Sequence, residues 1–295
     1  MNKQRKINYF RDEYIGKAFV TFCGILIVAI TLAIIIFICE KGIQSFIQSD
    51  ISVLEMLTST NWSPKDGSYG ALVFIGGSTI VSIGAVLIST PIGIALAIFM
   101  NHISPRFGAR VLKPSLEVLV GVPSVVYGLL GVTIIVPFLR NHFEGVGFSL
   151  LAGIIVLSVM ILPTIASLAD DAIKTVPIEF LEASYGLGST RWQAIWRVIV
   201  PASNKGILTG VVLGLARAFG EALAVQMVIG NTIKLPDALT SPTSTLTGIL
   251  TMDMANTING TAWNNALWTL AMILLLISFL FILIIRAVGR KGDAR

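Results

Sequence analysis

Two charged side chains sit where charge is most costly. Arg217 and Glu221 lie near the centre of an otherwise apolar run, Gly206–Gly230. Placing an Arg at the middle of a membrane helix costs about 2.5–3.5 kcal/mol on insertion scales, so such a residue is rarely left facing lipid. In a continuous helix a spacing of four puts both charges on one face, within pairing distance. The rest of that face is small: Gly206, Gly210, Gly214, Ala218 and Ala222 recur every fourth position. At about 100° per residue, Arg217 falls about 20° to one side of Gly210 and Glu221 about 20° to the other. Small-residue stripes are where helices pack closely in lipid, so the pair turns toward other helices. Its chemistry is either a positive site for an anion in transit, with the carboxylate holding and tuning the guanidinium, or an ion pair locking two helices. Intramembrane ionisable residues favour the first.

The elements that must position this pair follow from composition. Of 295 residues, 55% are apolar and 13% charged, against about 25% charged in soluble domains. That excludes a soluble globular chain and a disordered one. A spanning helix needs roughly 20 mostly apolar residues, and six runs qualify: Ala18–Cys39, Ala71–Met100, Ser115–Leu139, Ser149–Leu168, Gly206–Gly230 and Ala266–Ile285. The second, at 30 residues, must tilt or begin outside the hydrocarbon. Sixteen Lys and Arg fall on the side holding both termini and four on the other; Arg217 is the twenty-first. The positive-inside rule then makes both termini cytoplasmic. The chain divides into residues 1–17 (cytoplasmic N-terminus), 18–39 (first span), 40–70 (outer loop), 71–285 (a five-span core containing the 169–205 cytoplasmic loop) and 286–295 (cytoplasmic tail). The basic start imitates a signal peptide, but Ala18–Cys39 is 22 residues with no small-x-small site after it, so it reads as a retained span. Cys23 and Cys39, about 24 Å apart along a helix, are packing residues rather than a disulfide. Trp62, Trp263 and Trp268 read as anchors at the outer interface.

Two further segments carry information. Gly121–Gly128 places two Gly, a Pro, a Ser and a Tyr at mid-span. It is either a kink, with Pro123, Ser124 and Tyr127 lining a path, or a tightly packed bend. In the Ala169–Lys205 loop, Pro177 opens a short helix to Leu187, ended by Gly186 and Gly188. Thr190 and Gln193 have capping-box spacing, and Trp192, Ile195, Trp196 and Ile199 share one face of a second helix. This pair either lies on the lipid interface or plugs into a partner protein.

Here the chain resembles a known family. Glu182-Ala183-Ser184, three residues, Gly188, nine residues, then Val198-Ile199-Val200-Pro201 is similar to the EAA motif of ABC-importer permeases. Ser184 stands for the second Ala of that motif, and Val198 and Val200 for its Ile and Leu. Gly121–Gly131 and Gly214–Asn231, with Asn61–Pro64 and Tyr69–Leu72, resemble the PstC-type permeases of high-affinity phosphate importers. The resemblance implies an all-α, six-span, type I importer permease fold in a bacterial inner membrane. It implies phosphate passage at Arg217 and Glu221, and docking of an ATPase on Glu182, Ala183, Gly188 and Pro201. It also implies partners: a PstA-type second permease, a PstB-type ATPase dimer, a PstS-type phosphate-binding protein and the lipid bilayer, with no nucleic acid. No Gly-x-x-x-x-Gly-Lys-Ser/Thr loop is present, so the chain should bind no cofactor and catalyse no reaction; ATP and magnesium belong on the ATPase. His102 and His142 lie in loops on opposite sides, so neither a shared metal site nor a catalytic triad is expected. A secondary anion transporter or channel would share the broken helices and intramembrane charges, and an ABC permease for sulfate or molybdate would keep the importer and change the anion.

Overall fold

The computed structural model describes residues 3–48, 52–143 and 145–292. The last three residues of the expected tail, Arg295 among them, lie outside the described residues. Apolar periodicity gives helices throughout. Five among the described residues are long and apolar enough to cross a bilayer, and a bent pair makes a sixth. Helix α1 (Lys3–Gln48) embeds the first apolar run in a much longer rod, whose spanning part is Tyr14–Ile47. Then come α2 (Val53–Thr58) and a two-residue antiparallel hairpin. In it β1 (Trp62–Ser63) pairs with β2 (Ser68–Tyr69), Trp62 opposite Tyr69. Helix α3 (Leu72–Ile103) crosses next, followed by α4 (Lys113–Gly121), α5 (Ser124–His142) and α6 (Leu150–Lys174). The elbow is α7 (Ile178–Gly186) and α8 (Arg191–Ala202), which meets α9 (Asn204–Gly220) at a 67° bend. Short α10 (Leu223–Ile229) and α11 (Leu246–Asp253) precede the last span, α12 (Ala262–Gly292).

Helix α6 is the axle. Leu157, Met160, Ile161 and Ile165 are fully buried along it. Against it lies α3, where Ser89 Oγ donates to the Ser158 carbonyl at 2.8 Å. The glycine stripe of α9 packs on its other flank, as the spacing predicts. A Cβ on Gly206 would meet Ala172 Cβ at 2.3 Å, and one on Gly214 would meet Ile165 Cγ1 at 2.7 Å, so only glycine lets the two backbones come this close. Pro91 and Pro163 sit inside α3 and α6 without ending them.

The hairpin explains one corrected expectation. Trp62 is not an interfacial anchor: it is 6% exposed and packs edge-on against Tyr69 and Phe74. Cys23 and Cys39 are free thiols.

Candidate functional site

The run read as one span, Gly206–Gly230, is two helices. Helix α9 stops at Gly220, and Glu221 is in extended backbone, φ −74° and ψ 123°. The two charges therefore do not share a helix face, and no Arg217–Glu221 ion pair occurs among the described residues. The extended residue swings its side chain away from where a further helical turn would have carried it.

Each charge instead finds its own helix end. Arg217 lies in the last turn of α9, where exposed carbonyls favour a cation. Its Nη1 donates to Thr164 Oγ1 at 3.1 Å, one residue past Pro163 on α6. Glu221 caps α10: its Oε1 accepts from the Ala224 amide at 3.1 Å, where free N–H groups favour an anion. Its carbonyl accepts from Thr247 Oγ1 at 2.8 Å, which pins the break to α11. Glu221 borders a cavity of about 10 Å³ with Ser78, Ser82, Thr245 and Thr247, a volume on the scale of one water molecule. Arg217 is half-buried, with one of its five N–H donors engaged by Thr164.

A second break stands beside the first. Between α4 and α5, Val122 and Pro123 are extended. Proline cannot donate to the carbonyl four residues back, which is Leu119; the Tyr127 hydroxyl does so instead, at 2.8 Å. Of the proposed lining residues, Pro123 is exposed, Ser124 half-buried and Tyr127 buried. Just beyond the breaks, α5 and α10 pack tightly: a Cβ on Gly128 would meet Met227 Sδ at 2.6 Å and Ala224 Cα at 3.1 Å. The two breaks thus lie at one level of the bundle.

At the far end of α6 the elbow is built as its residues dictate. Thr190 and Gln193 form the capping box, side chain to backbone in both directions. Gly188 takes φ +79°, a left-handed conformation that favours glycine. Ser184 is buried, its Oγ 2.5 Å from Ser189 Oγ. The single apolar face splits: Ile195 and Ile199 are buried, whereas Trp192 and Trp196 are exposed and meet edge to face. Glu182, Ala183 and Pro201 are also exposed, and Leu187 is 89% exposed. Beside them a groove of about 490 Å³ runs past Phe180, Ala183, Gly188 and Arg197.

Residues 89–292 match the family described as "binding-protein-dependent transport system inner membrane component". The chain belongs to that family. It is 53% identical over 283 residues, 95% of this chain and 92% of the other, to the probable ABC transporter permease protein YqgH of Bacillus subtilis. It is 36% identical to the phosphate transport system permease protein PstC of Mesorhizobium japonicum, covering 81% of this chain and 79% of that one. To the Haemophilus influenzae protein of the same name it is 32% identical, over 99% and 98%. The fold matches the inward-facing MetNI methionine ABC transporter with TM-score 0.55 at 18% identity, over 76% of this chain and 94% of that one. The chain is thus a multi-pass inner-membrane permease of the type I importer fold, a transport subunit rather than an enzyme.

Sequence reasoning missed two parts of this permease. Thr164, the partner of Arg217, lies 53 residues away from it, and no local signal marks it. Asp170 carried a signal: a doubled aspartate at a span end with Lys174 four residues on. It is 1% exposed and binds Asn101 Nδ2 at 2.7 Å and Lys174 Nζ at 2.5 Å. With Lys113, which reaches Asp171 at 3.3 Å, it ties the elbow ends of α3, α4 and α6 together. The Asp171 carboxylate raises the Lys113 pKa.

Proposed function

We propose that this permease passes phosphate across the bacterial inner membrane, with Arg217 as the group that attracts the anion. The observation that carries the reading is a half-buried guanidinium at the end of a broken helix, turned to a threonine rather than to a carboxylate. A guanidinium neutralised by Glu221 would offer an anion little. One held by a neutral hydroxyl keeps its net charge and most of its donor fork for a tetrahedral oxyanion. The relatives named as phosphate permeases support phosphate as that anion.

One such chain forms half of a pathway. The reading therefore includes a second permease of the PstA type, a PstB-type ATPase dimer carrying ATP and magnesium, and a PstS-type receptor delivering phosphate from outside. The basic residues favour both termini, and the elbow, on the cytoplasmic side. The ATPase would engage Glu182, Ala183, Gly188 and Pro201, while Pro123, Ser124 and Tyr127 would border the pathway beside Arg217. Glu221 acts through α10, whose start it caps. No bond in phosphate breaks; ATP-driven movement of the elbow switches access.

The test is Arg217→Gln in the assembled complex in proteoliposomes. Phosphate uptake should fall at least about a hundredfold, roughly 2.7 kcal/mol, while the subunits co-purify in normal ratio. Normal uptake would remove the pathway role from Arg217. Uptake that sulfate or molybdate suppresses better than phosphate would keep the permease and change the anion.

A further inference from the structure

At the end of the molecule opposite the elbow, a cavity of about 330 Å³ opens between the β1–β2 hairpin, the loop at Asn231 and α11. Asp253, the last residue of α11, borders it together with Trp62 and Trp263. Both indole N–H groups are buried and lack a partner at hydrogen-bond distance; the Asp253 carboxylate is the group that feels them. Asn231 also borders the cavity, in a left-handed conformation, φ 48°. Its Nδ2 is committed to the Gln226 carbonyl at 2.9 Å, which leaves its buried Oδ1 without a donor. Lys65 and Met252 form an exposed rim, and among the described residues no ion pair joins Lys65 to Asp253. Burial raises the Asp253 pKa, the indoles offsetting part of that.

The chemistry of this pocket is one-sided. It offers a carboxylate that pairs with no basic side chain among the described residues, and an amide oxygen, beside two indole rings. A carboxylate beside two indole rings suits a Lys ammonium or Arg guanidinium, which pairs with the carboxylate in a charge-assisted hydrogen bond. Buried aromatic pockets with a central ion pair are where binding energy concentrates. We infer that this pocket receives a basic side chain of the soluble receptor protein, with Asp253 as its counter-ion and Trp62 and Trp263 as its walls. The partner class is given by the family, whose members depend on a binding protein; the pocket's outward placement rests on the orientation proposed above.

A structural role for Asp253 predicts something different. A carboxylate whose work was to seat two indoles could be replaced by asparagine, which still offers an oxygen, and nothing outside the fold would change. The test uses the assembled transporter in nanodiscs and its receptor. Asp253→Asn should bind the receptor about tenfold more weakly and with a shallower salt dependence. Thermal stability should hold or rise, and uptake should recover at saturating receptor. Wild-type affinity and salt dependence in Asp253→Asn would overturn the assignment. A second arm leaves the carboxylate in place: Met252→Cys, with Cys23 and Cys39 changed to Ser, is treated with a trimethylammonium-ethyl thiosulfonate or a neutral methyl thiosulfonate. The tethered cation should occupy the pocket and block the receptor while the neutral adduct does not; equal effects would sink the proposal. The readout is receptor affinity, so the outcome of Arg217→Gln does not bear on it.

Discussion

The molecule breaks two of its membrane helices at one level and by opposite means. Between α4 and α5 the break is covalent: Pro123 lacks an N–H, and Tyr127 covers the freed Leu119 carbonyl from four residues beyond. Between α9 and α10 there is no proline. That break is held by Glu221 capping the following helix, by Thr247 bonding the Glu221 carbonyl and by Arg217 at the preceding helix end. The first would survive in isolation, since a proline ring needs no partner. The second exists only while α11 and α6 are in place. A bend made by a ring is a fixed shape, whereas one made by hydrogen bonds from three elements can respond when any of them moves.

The comparison can be broken experimentally. The largest effect belongs to Glu221→Ala, which removes the cap of α10. Capping losses run about 1–2 kcal/mol, and uptake should fall with it. Hydrogen exchange at the α10 amides should speed markedly, while Glu221→Gln, which keeps an acceptor, should recover most of the protection. Unchanged exchange in Glu221→Ala would show that the second break needs no charge. Next comes Thr164→Val, which takes its acceptor from the half-buried Arg217 at a cost of about 1–1.5 kcal/mol. Uptake should drop about tenfold with receptor and ATPase binding intact, and Thr164→Ser should restore it. The smallest belongs to Tyr127→Phe. The Leu119 carbonyl keeps a weaker bond from Val122, at 3.3 Å, so the change should cost about 1 kcal/mol. It should lower the melting temperature slightly and leave the break where Pro123 puts it. If Tyr127→Phe proved as damaging as Glu221→Ala, the two breaks would not differ in kind.

The same contrast decides what was legible in the residues themselves. Pro123 and the capping box at Thr190 and Gln193 act over four residues, so a local reading finds them. The glycine stripe is equally local, and it packs on α6 as its spacing predicts. The second break is not. Ala218-Phe219-Gly220-Glu221-Ala222-Leu223 has one weak helix former, and the contact that stops α9 comes from Thr247, 26 residues later. Reading that stretch as continuous helix gave an Arg–Glu pair that tertiary structure dissolves. Trp62 failed for a related reason. Alone it looks like an interfacial anchor, and only the fold buries it and brings it and Trp263 to the same carboxylate across some two hundred residues.

The glycines of α9 have a mechanical consequence. Where Gly206, Gly210 and Gly214 face α6, the α9 side of the seam has no side-chain teeth, only hollows that take Ala172, Leu168 and Ile165 of α6, so displacement along it asks for no rotamer change of those α9 positions. Such a seam is a plain bearing. The Thr164–Arg217 bond, lying just past its end, then works as the catch. A stroke at the elbow that slides α9 would release the guanidinium from its rest, timing its availability to the movement of the elbow.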